Sequence, residues 1–235
     1  NLHRSGAAYV HQEAGSPLPG QWWPSNYGRL AAATMFTLFF AGNDFAPLVK
    51  VDGIPVQDWL QGHYVGAISR LAEELSDEPN VIGFDTLNEP SSGLVGLQDL
   101  AHHEGFPHGQ VFSPFDAMRM GIGRPVEVST YLAPYLLNST DILNEERATA
   151  WANGPENCIW RKHGVYSVDE TSGTATLLKP GYFSKSPRDR EDSTIDFTND
   201  YMVPFFKLFE EGIREKIPDA IIFAEPHIDA SIGPW

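Results

Sequence analysis

The stretch Val81-Ile82-Gly83-Phe84-Asp85-Thr86-Leu87-Asn88-Glu89-Pro90 is the strongest indication of the fold in this sequence. Its apolar residues form a near-continuous run, which is typical of a strand buried on both faces of a parallel sheet. Pro90 has no amide hydrogen and disfavours helical geometry at the residue before it, so we expect the strand to end there with Glu89 extended. A carboxylate at the carboxyl end of such a strand is placed for chemistry rather than for packing.

Two long helices are predicted from apolar residues that recur at helical spacing, one over 56–75 and one over 198–216. The first leads into the strand at Val81, and the second leads into a further strand over 220–224. More than a hundred residues separate the two strands, far more than an ordinary crossover needs. Within this connection, the residues 164–178 predict a hairpin.

The polar residues at the two strand ends suggest sugar chemistry. Asn88 can donate an amide hydrogen to a substrate hydroxyl while Glu89 transfers a proton. Phe223-Ala224-Glu225-Pro226 repeats the pattern of strand, glutamate and proline, so Glu225 is expected on the same rim if the strands are parallel. From position alone, Glu225 could be the second catalytic carboxylate.

The segment Ile82–Pro90 resembles the acid/base motif of glycoside hydrolase family 5, whose members are (β/α)8 barrels that hydrolyse β-glycosides with retention of configuration. Further stretches are similar to one branch of that family, the fungal endoglycoceramidase-related glucosidases, which include steryl-β-glucosidases and glucosylceramidases. These stretches are 22–27, 30–39, 157–160, 163–166 and 180–183.

The resemblance implies an α/β fold that is part of a (β/α)8 TIM barrel, from the loop after strand three to strand five. Residues 1–235 would be the central portion of one catalytic domain, and 91–197 would be a large insertion on the active-site rim after strand four. The remaining strands are expected outside this chain. No methionine opens the sequence, which fits a truncated, processed or split product.

The resemblance also implies roles for single residues. Glu89 would be the general acid/base, with Asn88 as a neighbouring sugar contact. The family's nucleophile lies on strand seven and therefore outside this chain, so Glu225 on strand five would line the site instead. His227, two positions later, would add a polar contact to the sugar.

Two adjacent aromatic residues are candidates for substrate binding. Trp22 and Trp23 could stack on a flat sugar or sterol face, although ordinary packing is the alternative for each. Trp160 presents the same choice.

The expected activity is a retaining β-glucosidase that acts on a glycolipid, preferably a steryl β-glucoside. The alternatives are a glucosylceramidase, an endoglycoceramidase, and a catalytically silent barrel that binds glycolipid. Besides the substrate, the expected partners are the missing halves of the barrel, as separate chains of the same protein, and the membrane surface through apolar patches.

Composition excludes several other classes. The net charge of -15 argues against a nucleic-acid partner, and a lone Cys158 cannot form an internal disulfide. His102, His103 and His108 fit no zinc spacing, so neither a metal nor a cofactor is expected.

The apolar run Leu30–Ala41 is too short to span a membrane and predicts a buried helix, with the lining of a lipid site as the alternative. An intracellular or membrane-peripheral location is favoured.

Overall fold

The computed structural model describes residues 1–8, 26–103, 109–133, 135–187 and 194–228. Helices and strands alternate in a mixed α/β arrangement. In chain order they are α1 (Leu30–Phe45), β1 (Lys50–Val51), β2 (Ile54–Pro55), α2 (Val56–Glu74), β3 (Gly83–Asp85), β4 (Gly109–Val111), α3 (Pro114–Gly121), β5 (Val126–Ala133), β6 (Leu136–Leu143), α4 (Ile159–Lys162), β7 (Tyr166–Val168), β8 (Ala175–Leu177), α5 (Val203–Arg214) and β9 (Ile221–Phe223).

The chain divides into two compact units. The first contains the described residues of Asn1–Met35 and Leu97–Ser184, and the second contains those of Phe36–Gly96 and Lys185–Ile228. The long connection between the two predicted strands therefore contributes most of the first unit, whereas both strands belong to the second.

The second unit is built around the parallel pair of β3 and β9, with Gly83 opposite Ile221 and Asp85 opposite Phe223. Helices α2 and α5 pack together. A Cβ at Gly212 of α5 would lie 2.5 Å from Cγ1 of Val65 in α2, so the glycine allows this packing. Rings from three helices form an aromatic cluster in which edge-to-face contacts dominate; it contains Phe39, Phe40, Tyr64, Phe205 and Phe209.

Both predicted long helices are confirmed. Helix α2 ends at Glu74, one residue before the predicted end. The second helix begins with a π-helical turn over Thr198–Met202, continues as α5 and ends at Arg214. Amphipathic spacing predicts both because each helix turns one apolar stripe towards the same aromatic cluster.

The prediction that the first strand is buried on both faces is wrong for this chain. Ile82 is 64% exposed and Phe223 of β9 is 45% exposed. Within the described residues β3 and β9 pair only with each other, so both outer edges and much of the apolar surface of this pair stay open. An apolar run predicts the burial that a strand needs, but neighbouring elements must supply it.

The first unit contains an antiparallel sheet in the order β4, β5, β6, and a short hairpin of β7 and β8. The hairpin lies within the predicted range 164–178, which confirms that prediction. Trp160 is fully buried, donates its Nε1–H to Thr34 Oγ1 at 3.0 Å and meets the ring of Phe183 edge-on. Of the two alternatives for Trp160, stacking on a substrate and ordinary packing, the structure shows packing.

Helix α1 contains the apolar run Leu30–Ala41. Leu30, Phe40 and Ala41 are at most 3% exposed, which confirms the predicted buried helix. Among the described ranges, no helix combines the length and the apolar character needed to cross a membrane.

Candidate active site

Strands β3 and β9 run in the same direction and end at the same edge of their sheet. The amide of Thr86 donates to the Phe223 carbonyl at 3.0 Å, which extends the ladder one residue beyond β3. The segment Leu87–Pro90 and the segment Ala224–His227 therefore leave the sheet side by side. Carboxyl ends of parallel strands are where α/β proteins place ligand-binding and catalytic side chains.

Thr86 holds the two segments together. This residue is fully buried, and its Oγ1 accepts a hydrogen bond from the Glu225 amide at 3.3 Å. Its carbonyl oxygen accepts from the Tyr64 hydroxyl at 2.8 Å, which ties the strand end to α2. One threonine thus fixes the backbone of Glu225 relative to the strand that carries Glu89.

Tyr64 is suited to this role because it keeps its proton. Burial, and secondarily the negative charge of Asp85, raise the pKa of the Tyr64 hydroxyl above its ordinary value. The hydroxyl therefore remains a hydrogen-bond donor to the Thr86 carbonyl at any pH near neutrality. Asp85 itself accepts from the Leu87 amide at 3.1 Å and so turns the chain after the strand.

Glu89 has a strained backbone. Its φ is +48°, in the left-handed region that costs a non-glycine residue about 1–2 kcal/mol. The expectation that Pro90 would hold Glu89 extended is therefore wrong. A proline disfavours the right-handed helical region at the residue before it, and Glu89 avoids that region by adopting a positive φ instead.

The strain coincides with an extra residue between two fixed points. Ser91 pairs with Ile228 six positions after Asp85, whereas Ile228 is five positions after Phe223, the partner of Asp85. The Pro90 carbonyl accepts from the Ile228 amide at 2.7 Å and closes this loop. Glu89 lies on the resulting short bulge, and strained residues that their surroundings hold in place are concentrated at functional sites.

Four of the predicted site residues are brought to this edge. Glu89 and Glu225 are half-buried, whereas Asn88 is exposed. His227 is half-buried, with its Nδ1 3.4 Å from Thr198 Oγ1 and its ring edge-on to Phe197. The carboxylates thus remain accessible while their backbones are fixed, as general acid/base chemistry requires.

The other predictions for this site have different outcomes. Trp22 and Trp23 lie outside the described residues, and so does His108. His102 has its Nδ1 2.7 Å from an Asp99 carboxylate oxygen. Across the part of the chain that the structure describes, no three metal-ligating side chains form a cluster.

Sequence reasoning missed the two residues that organise the site, Thr86 and Tyr64. Thr86 stands inside the quoted motif, but its type gives no sign that it would bond to a strand more than a hundred residues away. Tyr64 counts as one more apolar position of α2 in the helical pattern, so its hydroxyl carries no separate signal.

Comparisons with known proteins find several fungal relatives of this chain. A protein named glucosylceramidase from Rhizopus delemar is 35% identical over 236 residues, which cover 96% of this chain and 34% of that protein. Another of the same name, from Aspergillus fumigatus, is 33% identical over 94% of this chain and 33% of its own length. This chain is homologous to fungal glucosidases. The resemblance to fungal glucosylceramidases read from the sequence is thereby confirmed.

Two other similar proteins are named for the hydrolysis of sterol glucosides. Ergosteryl-beta-glucosidase from Saccharomyces cerevisiae is 28% identical over 89% of this chain and 31% of that protein. The crystal structure of Cryptococcus neoformans sterylglucosidase 1 superposes with a TM-score of 0.84 at 29% identity, covering 97% of this chain and 36% of that one. The chain spans about a third of the length of the curated relatives it matches. It matches no protein-family model.

Proposed function

We propose that this chain carries the acid/base half of a retaining β-glucosidase that acts on a glycolipid, with Glu89 as the general acid/base. One observation carries the proposal: two parallel strands bring Glu89 and Glu225 to one sheet edge, with Glu89 on a strained bulge. The homologous proteins bear the names glucosylceramidase and ergosteryl-beta-glucosidase, which supports the reaction class.

The proposed reaction has two steps. A nucleophilic carboxylate attacks the anomeric carbon as the glycosidic bond breaks, and Glu89 gives its proton to the departing aglycone oxygen. A water molecule then attacks the glycosyl-enzyme intermediate and gives its proton to Glu89, which restores the acid. Asn88 would donate to a sugar hydroxyl, while Glu225 and His227 would line the sugar site.

The nucleophile is proposed to lie on a strand outside these 235 residues, in a (β/α)8 barrel of which β3 and β9 are strands four and five. The exposed Ile82 and Phe223 support this architecture because barrel strands need apolar cover on both faces. The separate compactness of Leu97–Ser184 supports the proposal that 91–197 is an insertion between these strands.

The preferred substrate is a steryl β-glucoside. The names of two relatives, ergosteryl-beta-glucosidase and sterylglucosidase 1, support this choice, whereas three relatives are named glucosylceramidase. The full-length protein should therefore be assayed on ergosteryl glucoside and on glucosylceramide in the same mixed micelles. A higher kcat/KM for glucosylceramide, or release of an oligosaccharide from a longer glycolipid, would replace the sterol assignment.

The role of Glu89 is tested by Glu89→Gln in the full-length protein. General acid catalysis contributes about 10²- to 10⁴-fold, so hydrolysis of a glucoside with a poor leaving group should fall by that factor. A dinitrophenyl glucoside needs no proton for its first step, so that step should be nearly unaffected, and added azide should restore turnover. The matched control is Glu78→Gln, the same change at an exposed residue just before the strand.

Three results would contradict the assignment. Unchanged hydrolysis of poor substrates by Glu89→Gln would remove the acid/base role. Absence of any glucosidase activity, with glycolipid binding retained, would favour a catalytically silent barrel. Finally, a 2-deoxy-2-fluoroglucosyl label found on Glu225 by peptide mass spectrometry would show that the nucleophile is in this chain.

A further inference from the structure

The tip of the β5–β6 hairpin presents four large apolar residues to solvent. Leu132 is 53% exposed, Tyr135 75%, Leu136 56% and Leu137 55%. All four fall within six consecutive positions, and the pair Ala133–Leu136 closes the hairpin between them. Scattered exposed leucines are ordinary, but a contiguous group of this kind marks an interaction surface.

The hairpin changes character along its length. At its base Val126 and Val128 are buried in the first unit, at 4% and 2% exposure. The two carboxylates of the hairpin, Glu127 and Asp141, are also at the base, and every residue from 128 to 140 is uncharged. The base is therefore anchored in protein and the tip is apolar.

The register of the hairpin sets the distance between its carboxylates and its tip. Val128 is opposite Asp141, and the last pair is Ala133–Leu136, five positions further along β5. At about 3.3 Å per residue the tip extends roughly 16 Å beyond the Asp141 carboxylate level. An interfacial element enters a bilayer by about 5–10 Å, so the tip can be immersed while both carboxylates stay in water.

We propose that this hairpin tip, through Leu132, Tyr135, Leu136 and Leu137, inserts into the interface of an electrically neutral lipid bilayer. Leucines supply apolar surface, and a tyrosine combines an apolar ring with a hydroxyl that suits the headgroup level. The chain's net charge of -15 disfavours anionic lipid. The inference deepens the proposed function and rests on it in one respect, because a glycolipid substrate is embedded in such a bilayer.

The test uses the full-length protein and flotation with phosphatidylcholine vesicles. Each of the three leucines is about half exposed, so burial of the exposed half should contribute roughly five-fold to partitioning. The triple change Leu132→Ser, Leu136→Ser and Leu137→Ser should weaken vesicle binding about 100-fold. The matched control changes three other exposed leucines, Leu48, Leu71 and Leu178, to serine and should bind as wild type does.

A second variant reports insertion directly. The emission of Tyr135→Trp should shift to the blue when phosphatidylcholine vesicles are added, and should stay unshifted in the triple-serine background. Equal binding by both triple variants, no vesicle binding by the wild type, or binding only when phosphatidylserine is present would each overturn the proposal. A lower melting temperature of the tip variant, or a change in its oligomeric state in solution, would show instead that the tip packs against protein.

Hydrolysis of a water-soluble aryl glucoside separates this proposal from the proposed function. The tip variant should retain wild-type activity on that substrate while losing activity on vesicle-embedded glycolipid. If no glucoside is hydrolysed but vesicle binding still follows the three leucines, the proposed function fails and the membrane contact stands.

Discussion

Replacing Gly83 by alanine should separate the two strands that form the candidate site. A Cβ at this position would lie 2.8 Å from the carbonyl carbon of Ile221 and 2.9 Å from its Cβ, and would also meet its carbonyl oxygen. Optimal carbon–carbon separation is about 3.5–4.0 Å, so the strands would have to move apart by roughly 1 Å. The obstacle is backbone, which cannot rotate aside as a flexible side chain does.

The cost follows from the contacts that this movement weakens. Overpacking costs about 1–3 kcal/mol. The ladder bonds on either side, from Ile221 to the Ile82 carbonyl and from Thr86 to the Phe223 carbonyl, are both 3.0 Å long and contribute about 1 kcal/mol each. We therefore expect Gly83→Ala to lower the free energy of unfolding by about 2–4 kcal/mol.

Gly66→Ala in the middle of α2 is the matched control. A Cβ there meets nothing within 4 Å, so the better helix propensity of alanine should stabilise the protein by about 0.5–1 kcal/mol. Urea unfolding of both variants of the full-length protein, followed by circular dichroism, measures the contrast. A Gly83→Ala variant within about 0.5 kcal/mol of wild type, or equal losses in the two variants, would show that the two strands accommodate a Cβ at this position.

Two further changes test the site edge and the first unit. Thr86→Val removes the acceptor of the Glu225 amide, so that amide should exchange its hydrogen faster than in Thr86→Ser, which keeps the hydroxyl; equal exchange would contradict the assigned bond. Asp169 accepts from the Ser172 amide and hydroxyl and the Thr171 amide, which lower its pKa. The Asp169 carboxylate therefore stabilises the folded state at pH values above the ordinary pKa of an aspartate, and this contribution is lost as the pH falls through the lowered pKa. The melting-temperature advantage of wild type over Asp169→Asn should therefore shrink between pH 6 and pH 3, and a constant gap would contradict this.

The parts of the fold that followed from sequence are those with a strong local period. Helix α2 and the helix ending at Arg214 each present an apolar stripe, and the β7–β8 hairpin has strand-forming residues on both sides of a glycine turn. The sheet of β4, β5 and β6 was not predicted. Strand β6 is almost wholly exposed along its length, so it shows no alternation of buried and exposed residues to read.

The candidate site was only partly visible for a similar reason. Glu89 and Glu225 stand out because a proline follows each at the end of an apolar run. The bulge at Glu89 gives no such signal in the sequence. It arises because the segment from Asp85 to Ser91 is one residue longer than the segment from Phe223 to Ile228 with which it pairs. The residue before a proline has a known local preference for φ and ψ, but that preference does not depend on the length of the segment that pairs with it.

The polar residues at both strand ends, the helices beside them and the resemblance to fungal glucosidases could all be read from the sequence, because motif and periodicity are local properties of the chain. Three features became visible only in the folded chain: the two glutamates share one edge, Thr86 and Tyr64 fix the backbone there, and the backbone at Glu89 is strained. The shared edge depends on a register and a hydrogen bond between segments more than a hundred residues apart, and the Tyr64 bond joins residues on different elements. No local pattern contains such contacts.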